Sequence, residues 1–178
     1  ESSNRAFLAT RFEDPIERKC ATLLAELYLF LLTPYSTCMT SELEVLSSSE
    51  PIYGLLQILG QDAQLHIVGG TVRELLVGKV AGDLDLASVF SPEKTKEILE
   101  QSGYRVVETG LEHGTLTVVV DGNNIEITTF RVPGPRNISK YSKTIEEDLS
   151  GRDFTINAIA FDINSRKLVD PFNGFDDL

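Results

Sequence analysis

With 178 residues the chain can enclose one hydrophobic core, and its 42% hydrophobic and 24% charged composition is that of an ordinary soluble globular protein. Its formal net charge of −11 repels phosphate backbones at long range, which argues against RNA binding by this segment alone. Cys20 and Cys38 are too few for a disulfide framework and have no neighbours at zinc-site spacing, so a reducing cytoplasm fits best.

In chain order, residues 1–32 pass from mixed charge into an apolar helical pattern in which Ala21, Leu24, Tyr28 and Leu31 recur at helix spacing. The run at 20–32 is too short to span a membrane, contains Glu26 and lacks the flanks of a signal peptide, so it reads as a buried helix. Residues 33–50, rich in Ser and Thr and holding Pro34, read as a linker or loosely ordered loop with room for one helical turn. Residues 1–50 are thus expected to be a helical extension and linker, with the main domain over 51–178. Ile52, Leu55, Leu56 and Leu59 predict a helix, Leu65 to Val68 a short strand, and Thr71 the N-cap of a helix that stops at Gly78. A second strand surrounds Asp83 and Asp85, Ser91-Pro92-Glu93 opens a helix to residue 102, and residues 104–108 form another strand. Strands at 115–120 and 125–130 flank Asp121-Gly122-Asn123-Asn124, whose residues tolerate positive φ and so predict a hairpin. After a polar loop over 132–143 come a helical turn at 145–149, a strand over 154–162, and a turn at Asn164-Ser165 into Leu168-Val169. The sum is an α/β (α+β) domain, a mixed sheet with helices on one side.

The most informative chemistry lies between Gly69-Gly70-Thr71-Val72-Arg73 and Gly82-Asp83-Leu84-Asp85. Alternate residues of a strand share a face, so Asp83 and Asp85 point together while Leu84 and Leu86 point to the core. Two carboxylates on one face form a candidate Mg²⁺ site, because that ion takes hard oxygen ligands and completes its shell with substrate phosphates. Gly69 and Gly70 let the backbone approach a triphosphate, and the helix that follows offers unpaired N–H groups and Arg73. Asp-Leu-Asp by itself also describes a solvated strand edge. Glu126 faces opposite to Ile125 and Ile127, which leaves it either a third carboxylate beside the pair or an exposed strand residue, depending on register. Arg131 is placed to balance the acids or bind triphosphate, Arg152 with Asp153 is either a ligand pair or a structural ion pair, and His66 and His113 need no chemical role.

The stretch from Gly69 to Ser88 resembles the first motif of the tRNA nucleotidyltransferase (CCA-adding enzyme) and bacterial poly(A) polymerase family, within the polymerase-beta-like nucleotidyltransferase superfamily. The likeness continues in order through His113-Gly114-Thr115, Glu126 to Arg131, Glu146-Glu147-Asp148-Leu149, Arg152 to Ala158, and Asp170-Pro171-Phe172-Asn173-Gly174, covering residues 65–178. It implies a polymerase-beta-like palm that transfers CMP or AMP from CTP or ATP to an RNA 3′ end, the tRNA end foremost. Poly(A) addition is the alternative within the class, and a catalytically inactive nucleotide-binding module the alternative outside it. The resemblance further implies two Mg²⁺ ions at Asp83 and Asp85, and nucleotide and ribose recognition by the motif holding Arg152, Asp153 and Asn157. Three departures stand out: Glu74 where the family has Asp, Gly151 where it has the first Arg of an Arg-Arg-Asp string, and a short segment at 141–144 in place of a longer flexible loop. The first residue, Glu1, and the ending at Leu178 suggest a piece of a longer protein. The family's base-selecting Glu-Asp-x-x-Arg motif and its RNA-gripping helical domains are then expected beyond these residues.

Overall fold

The structure, a computed structural model, describes residues 41–132 and 141–178. The helix expected within 1–32 and most of the polar loop expected over 132–143 lie outside the described residues.

Part of the stretch expected as a linker is helical. Helix α1, Ser41–Ser47, buries Leu43 fully in the same core as Ile52 and Leu55 of α2, Glu50–Leu59. The serines that suggested a loop bond back instead, Ser47 and Ser48 each donating a hydroxyl to the Glu44 carbonyl oxygen. The described residues fall in one compact unit.

Strand β1, His66–Val68, turns without a connecting loop into helix α3, Gly69–Leu76. The helix therefore begins two residues before the N-cap expected at Thr71, and Val68 occupies the cap position with no side-chain cap. Gly78 ends α3 as expected, at φ +71 with its N–H on the Leu75 carbonyl. Strand β2, Leu84–Ser88, leads to α4, Pro92–Gln101, which opens on Ser91 capping the Lys94 N–H. Strands β3 (Arg105–Gly110), β4 (Thr115–Val120) and β5 (Asn123–Thr129) follow, and β4 and β5 are joined by Asp121 and Gly122, both at positive φ as a two-residue hairpin turn requires. Helix α5, Ile145–Leu149, and the short strands β6, Ala160–Asp162, and β7, Lys167–Val169, complete the described fold.

Among the described residues the strands form one seven-stranded sheet in the order β3-β4-β5-β2-β1-β6-β7, antiparallel except where β2 runs parallel to β5. One face is apolar: Ile67 sits opposite Leu86 and Phe161, and Leu86 opposite Ile127. It packs against α1 to α4 through Leu43, Ile52, Leu55, Val72, Leu76 and Leu99, all fully buried. Residues offset by one position face the other way. There Val68, Ala87 and Ala160 form a smaller cluster with Phe130 and with Ile145 and Leu149 of α5.

The strand expected over 154–162 is confined to its last three residues. Phe154, Ile156 and Ala158 alternate as a strand would, yet Asn157 N–H bonds to the Phe154 carbonyl and Ala158 N–H to that of Thr155, closing a 3₁₀ turn at Thr155–Asn157. Among the described residues no helix is long and apolar enough to cross a membrane.

Candidate active site

The parallel pairing of β2 with β5 sets Asp85 directly opposite Glu126. Partners in a ladder share a face, so the register resolves the ambiguity over Glu126 in favour of a place beside the aspartates. Asp83, two residues before Asp85, precedes the strand proper and is exposed. The Asp85 carboxyl is pushed above the ordinary aspartate range, first by burial, then by the charges of Glu126 and Asp83, against the lowering pull of Arg152 and with a smaller push from Glu74.

The floor of this cluster is Gly69. It opens α3 at φ +64, a conformation that favours glycine, and a Cβ there would lie 3.5 Å from Asp85 Oδ2 and 3.9 Å from an Arg152 Nη. Carboxylate, guanidinium and the N-terminal turn of α3 thus meet at one glycine, with Gly70 next in the chain.

Arg152 is aimed by Asp148, whose Oδ2 accepts from Arg152 Nη2 at 2.9 Å while Oδ1 accepts from the Arg131 N–H at 2.8 Å. The Asp148 side chain is only 2% exposed, so both of its oxygens are spent on these two partners. Asp148 falls inside the family likeness, but no local signal marked it. Its role depends on α5 sitting beside the end of β5.

Arg73, Asn157 and Asp153 form a second chain. Arg73 Nη1 donates to Asn157 Oδ1, and Asn157 Nδ2 donates to Asp153 Oδ1 at 3.1 Å. The 3₁₀ turn that displaced the expected strand is what brings Asn157 to α3. Gly174 holds that turn in place, lying so close to it that a Cβ would come within 2.1 Å of the Thr155 carbonyl oxygen.

The Arg131 guanidinium stands apart from both groups, although its backbone N–H reaches Asp148. Its Nη1 donates to the His113 carbonyl at 3.4 Å, and Arg152 is the cation that acts on Asp85. His66 is buried, its Nδ1 2.7 Å from the Gln64 carbonyl oxygen and its ring edge-on to Phe130.

Two further side chains tie α3 to the segment carrying the aspartates, and sequence reasoning gave neither of them that role. Thr71 Oγ1 donates to the Asp83 carbonyl at 2.8 Å and accepts from the Asp85 N–H at 3.0 Å. Glu74 Oε2 accepts from the Gly82 N–H at 3.2 Å, so the residue that departs from the family pattern steadies the loop entering β2.

Among the described residues no three His, Cys, Asp or Glu side chains converge into a ready-made metal cage. The like-charged oxygens of Asp83, Asp85 and Glu126 nonetheless suit a divalent ion that keeps part of its shell for water and phosphate. Their mutual repulsion, felt at Asp85, is what such an ion would relieve.

Residues 65–178 match the family described as the poly A polymerase head domain. The CCA-adding enzyme of Streptococcus thermophilus (strain CNRZ 1066) is 40% identical over 135 residues, covering 72% of this chain and 32% of that protein. The CCA-adding enzyme of Lactobacillus helveticus (strain DPC 4571) is 37% identical over 142 residues, covering 76% of this chain and 34% of that protein. Among solved structures, the Bacillus stearothermophilus CCA-adding enzyme in complex with CTP superimposes with a TM-score of 0.62 at 37% identity, over 72% of this chain and 31% of that one. A tRNA nucleotidyltransferase complexed with a primer tRNA and an incoming ATP analogue gives a TM-score of 0.54 at 30% identity, over 70% of this chain and 35% of that one. The chain spans about a third of the length of the curated relatives it matches. With well over half of its residues matched in one continuous stretch, the chain belongs to the poly(A) polymerase head-domain family.

Proposed function

We propose that this chain is the catalytic head of a template-independent nucleotidyltransferase that adds CMP and AMP, from CTP and ATP, to the 3′ end of tRNA. The observation that carries this reading is the β2–β5 register that sets Glu126 beside Asp85, with Asp83 two residues away, against the Gly69 turn and Arg152. The same chemistry is in the names of the relatives, which are CCA-adding enzymes.

Enzymes of this family use divalent metal ions; here we assign two Mg²⁺ ions, held by Asp83 and Asp85 with Glu126 alongside. When bound, they supply the charge that acidifies an attacking 3′-hydroxyl and offsets that of the departing pyrophosphate. The protein's own groups bind and orient. The N–H groups of Gly69 and Gly70, at the positive end of α3, receive triphosphate oxygens, and Arg152 presents its guanidinium to the same phosphates. Asp153 accepts a hydrogen bond from the ribose 2′-hydroxyl, which favours ribonucleotides, and Asn157 holds Arg73 and Asp153 in register for that contact. Arg131 has a lesser share, from its place beside His113. The net charge of −11 leaves the grip on RNA to other parts of the full-length protein, acting in the cytoplasm where tRNA matures.

The test is incorporation of radiolabelled CTP and ATP, each supplied separately, into tRNA lacking its 3′ end, by the full-length protein with Mg²⁺. Label from both nucleotides, abolished by Asp83→Ala or Asp85→Ala, is the expected result. Label from ATP alone would move the assignment to A addition or polyadenylation. No label with folded, metal-replete protein would make the chain a nucleotide-binding module.

A further inference from the structure

The antiparallel ladder between β1 and β2 pairs His66 with Ala87 and Ile67 with Leu86. Its next rung would bring Val68 opposite Asp85, but the chain leaves the sheet at Gly69 to start α3. The N–H of Asp85 and the carbonyl of Asp83 lie on the strand edge from which the ladder has withdrawn. One hydroxyl takes both: Thr71 Oγ1 accepts from the Asp85 N–H and donates to the Asp83 carbonyl oxygen. Thr71 is 2% exposed, so water has little access to replace it.

We propose that Thr71 is a positioning residue that sets the spacing and direction of Asp83 and Asp85, so that both carboxylates present one metal-binding edge before any ion arrives. The inference rests on the nucleotidyltransferase reading above. The backbone of Asp83 lies outside β2, before the first rung of the β2–β5 ladder at Leu84, so among the described residues the Thr71 hydroxyl is what ties it to Asp85. A β-branched threonine suits this position, because its restricted χ1 holds the hydroxyl in one direction while the buried methyl keeps it there. Valine here keeps the shape and removes both hydrogen bonds, whereas serine keeps the hydroxyl and loses only the methyl.

The experiment compares wild type, Thr71→Val and Thr71→Ser in the full-length protein by three measurements: Mn²⁺ binding followed by electron paramagnetic resonance, thermal unfolding without metal, and hydrogen exchange of the Asp85 amide. The expected result is Mn²⁺ affinity lowered about tenfold or more in Thr71→Val, within the roughly 10–100-fold loss that follows removal of a group orienting metal ligands. Protection of the Asp85 amide should fall with it, the metal-free protein should remain folded, and Thr71→Ser should restore both. Should Thr71→Val fail to fold, Thr71→Ala against Thr71→Ser isolates the hydroxyl at smaller volume. Wild-type Mn²⁺ affinity in a folded variant without the hydroxyl overturns the proposal, and a lowered melting temperature at unchanged affinity assigns the hydroxyl to folding alone. Wild-type protein that binds no Mn²⁺ overturns the metal reading itself, and the positioning role with it.

Discussion

Gly174→Ala tests whether the Asp170-Pro171-Phe172-Asn173-Gly174 turn holds the site together from behind. A Cβ at Gly174 would stand 2.1 Å from the Thr155 carbonyl oxygen, 2.5 Å from its carbon and 3.1 Å from the Ile156 nitrogen. Ordinary contact begins at about 3.5 Å, so one of the two backbones must retreat by about 1.4 Å. Neither is free to do so: Asp170 holds the Gly174 and Phe175 N–H groups at 2.8 and 2.9 Å, and Thr155 donates its hydroxyl to Asp177. Overpacking of this kind costs about 1–3 kcal/mol, and backbone on both sides puts the expectation at the upper end, about 3 kcal/mol. With a urea m-value of about 2 kcal/mol/M, the unfolding midpoint followed by circular dichroism should fall by about 1.5 M. Gly82→Ala is the control, since a Cβ there meets nothing within 4 Å. A Gly174→Ala midpoint within about 0.3 M of wild type would refute the steric argument.

Two other predictions follow from the electrostatics. Asp85 has a raised folded-state pKa, so its contribution to stability is fully present below the ordinary aspartate range and is lost as pH rises through the raised value. Without metal, Asp85→Asn should therefore be more stable than wild type at neutral pH by on the order of 1 kcal/mol, limited by solvent screening, as is common for functional residues relieved of strain. The gain should fade below about pH 4, and equal thermal unfolding at neutral pH in a chelator would contradict the assignment. Arg152→Ala should raise the KM for nucleotide by about tenfold or more, whereas Arg131→Ala, whose guanidinium reaches the His113 carbonyl, should change it by less than about threefold. Steady-state incorporation kinetics decide between them, and equal losses would count against the separation of the two arginines.

What could be read from residues alone was what local chemistry decides. Ser91-Pro92 opened a helix, Asp121-Gly122 turned a hairpin, and Gly78 stopped α3. The resemblance supplied the family, which the match over residues 65–178 bears out. Tertiary structure decided whatever depends on partners distant in the chain. Whether Glu126 joins Asp85 was a question of register between strands some forty residues apart, and only sheet pairing answers it. Residues 154–158 alternate like a strand, but Gly174 packed against Thr155 and the reach of Asn157 to Arg73 favour a 3₁₀ turn. Thr71 looked like a helix cap because that is the commonest local use of its hydroxyl, and here the helix began earlier and left the hydroxyl to complete a strand edge. Helix α1 was hidden in a Ser-rich stretch because Leu43 and Leu46 pack, among the described residues, against a core built by segments that follow them. Periodicity and turn chemistry act over a few residues and are written locally; register, burial and the aim of a charged side chain are settled only when distant segments meet.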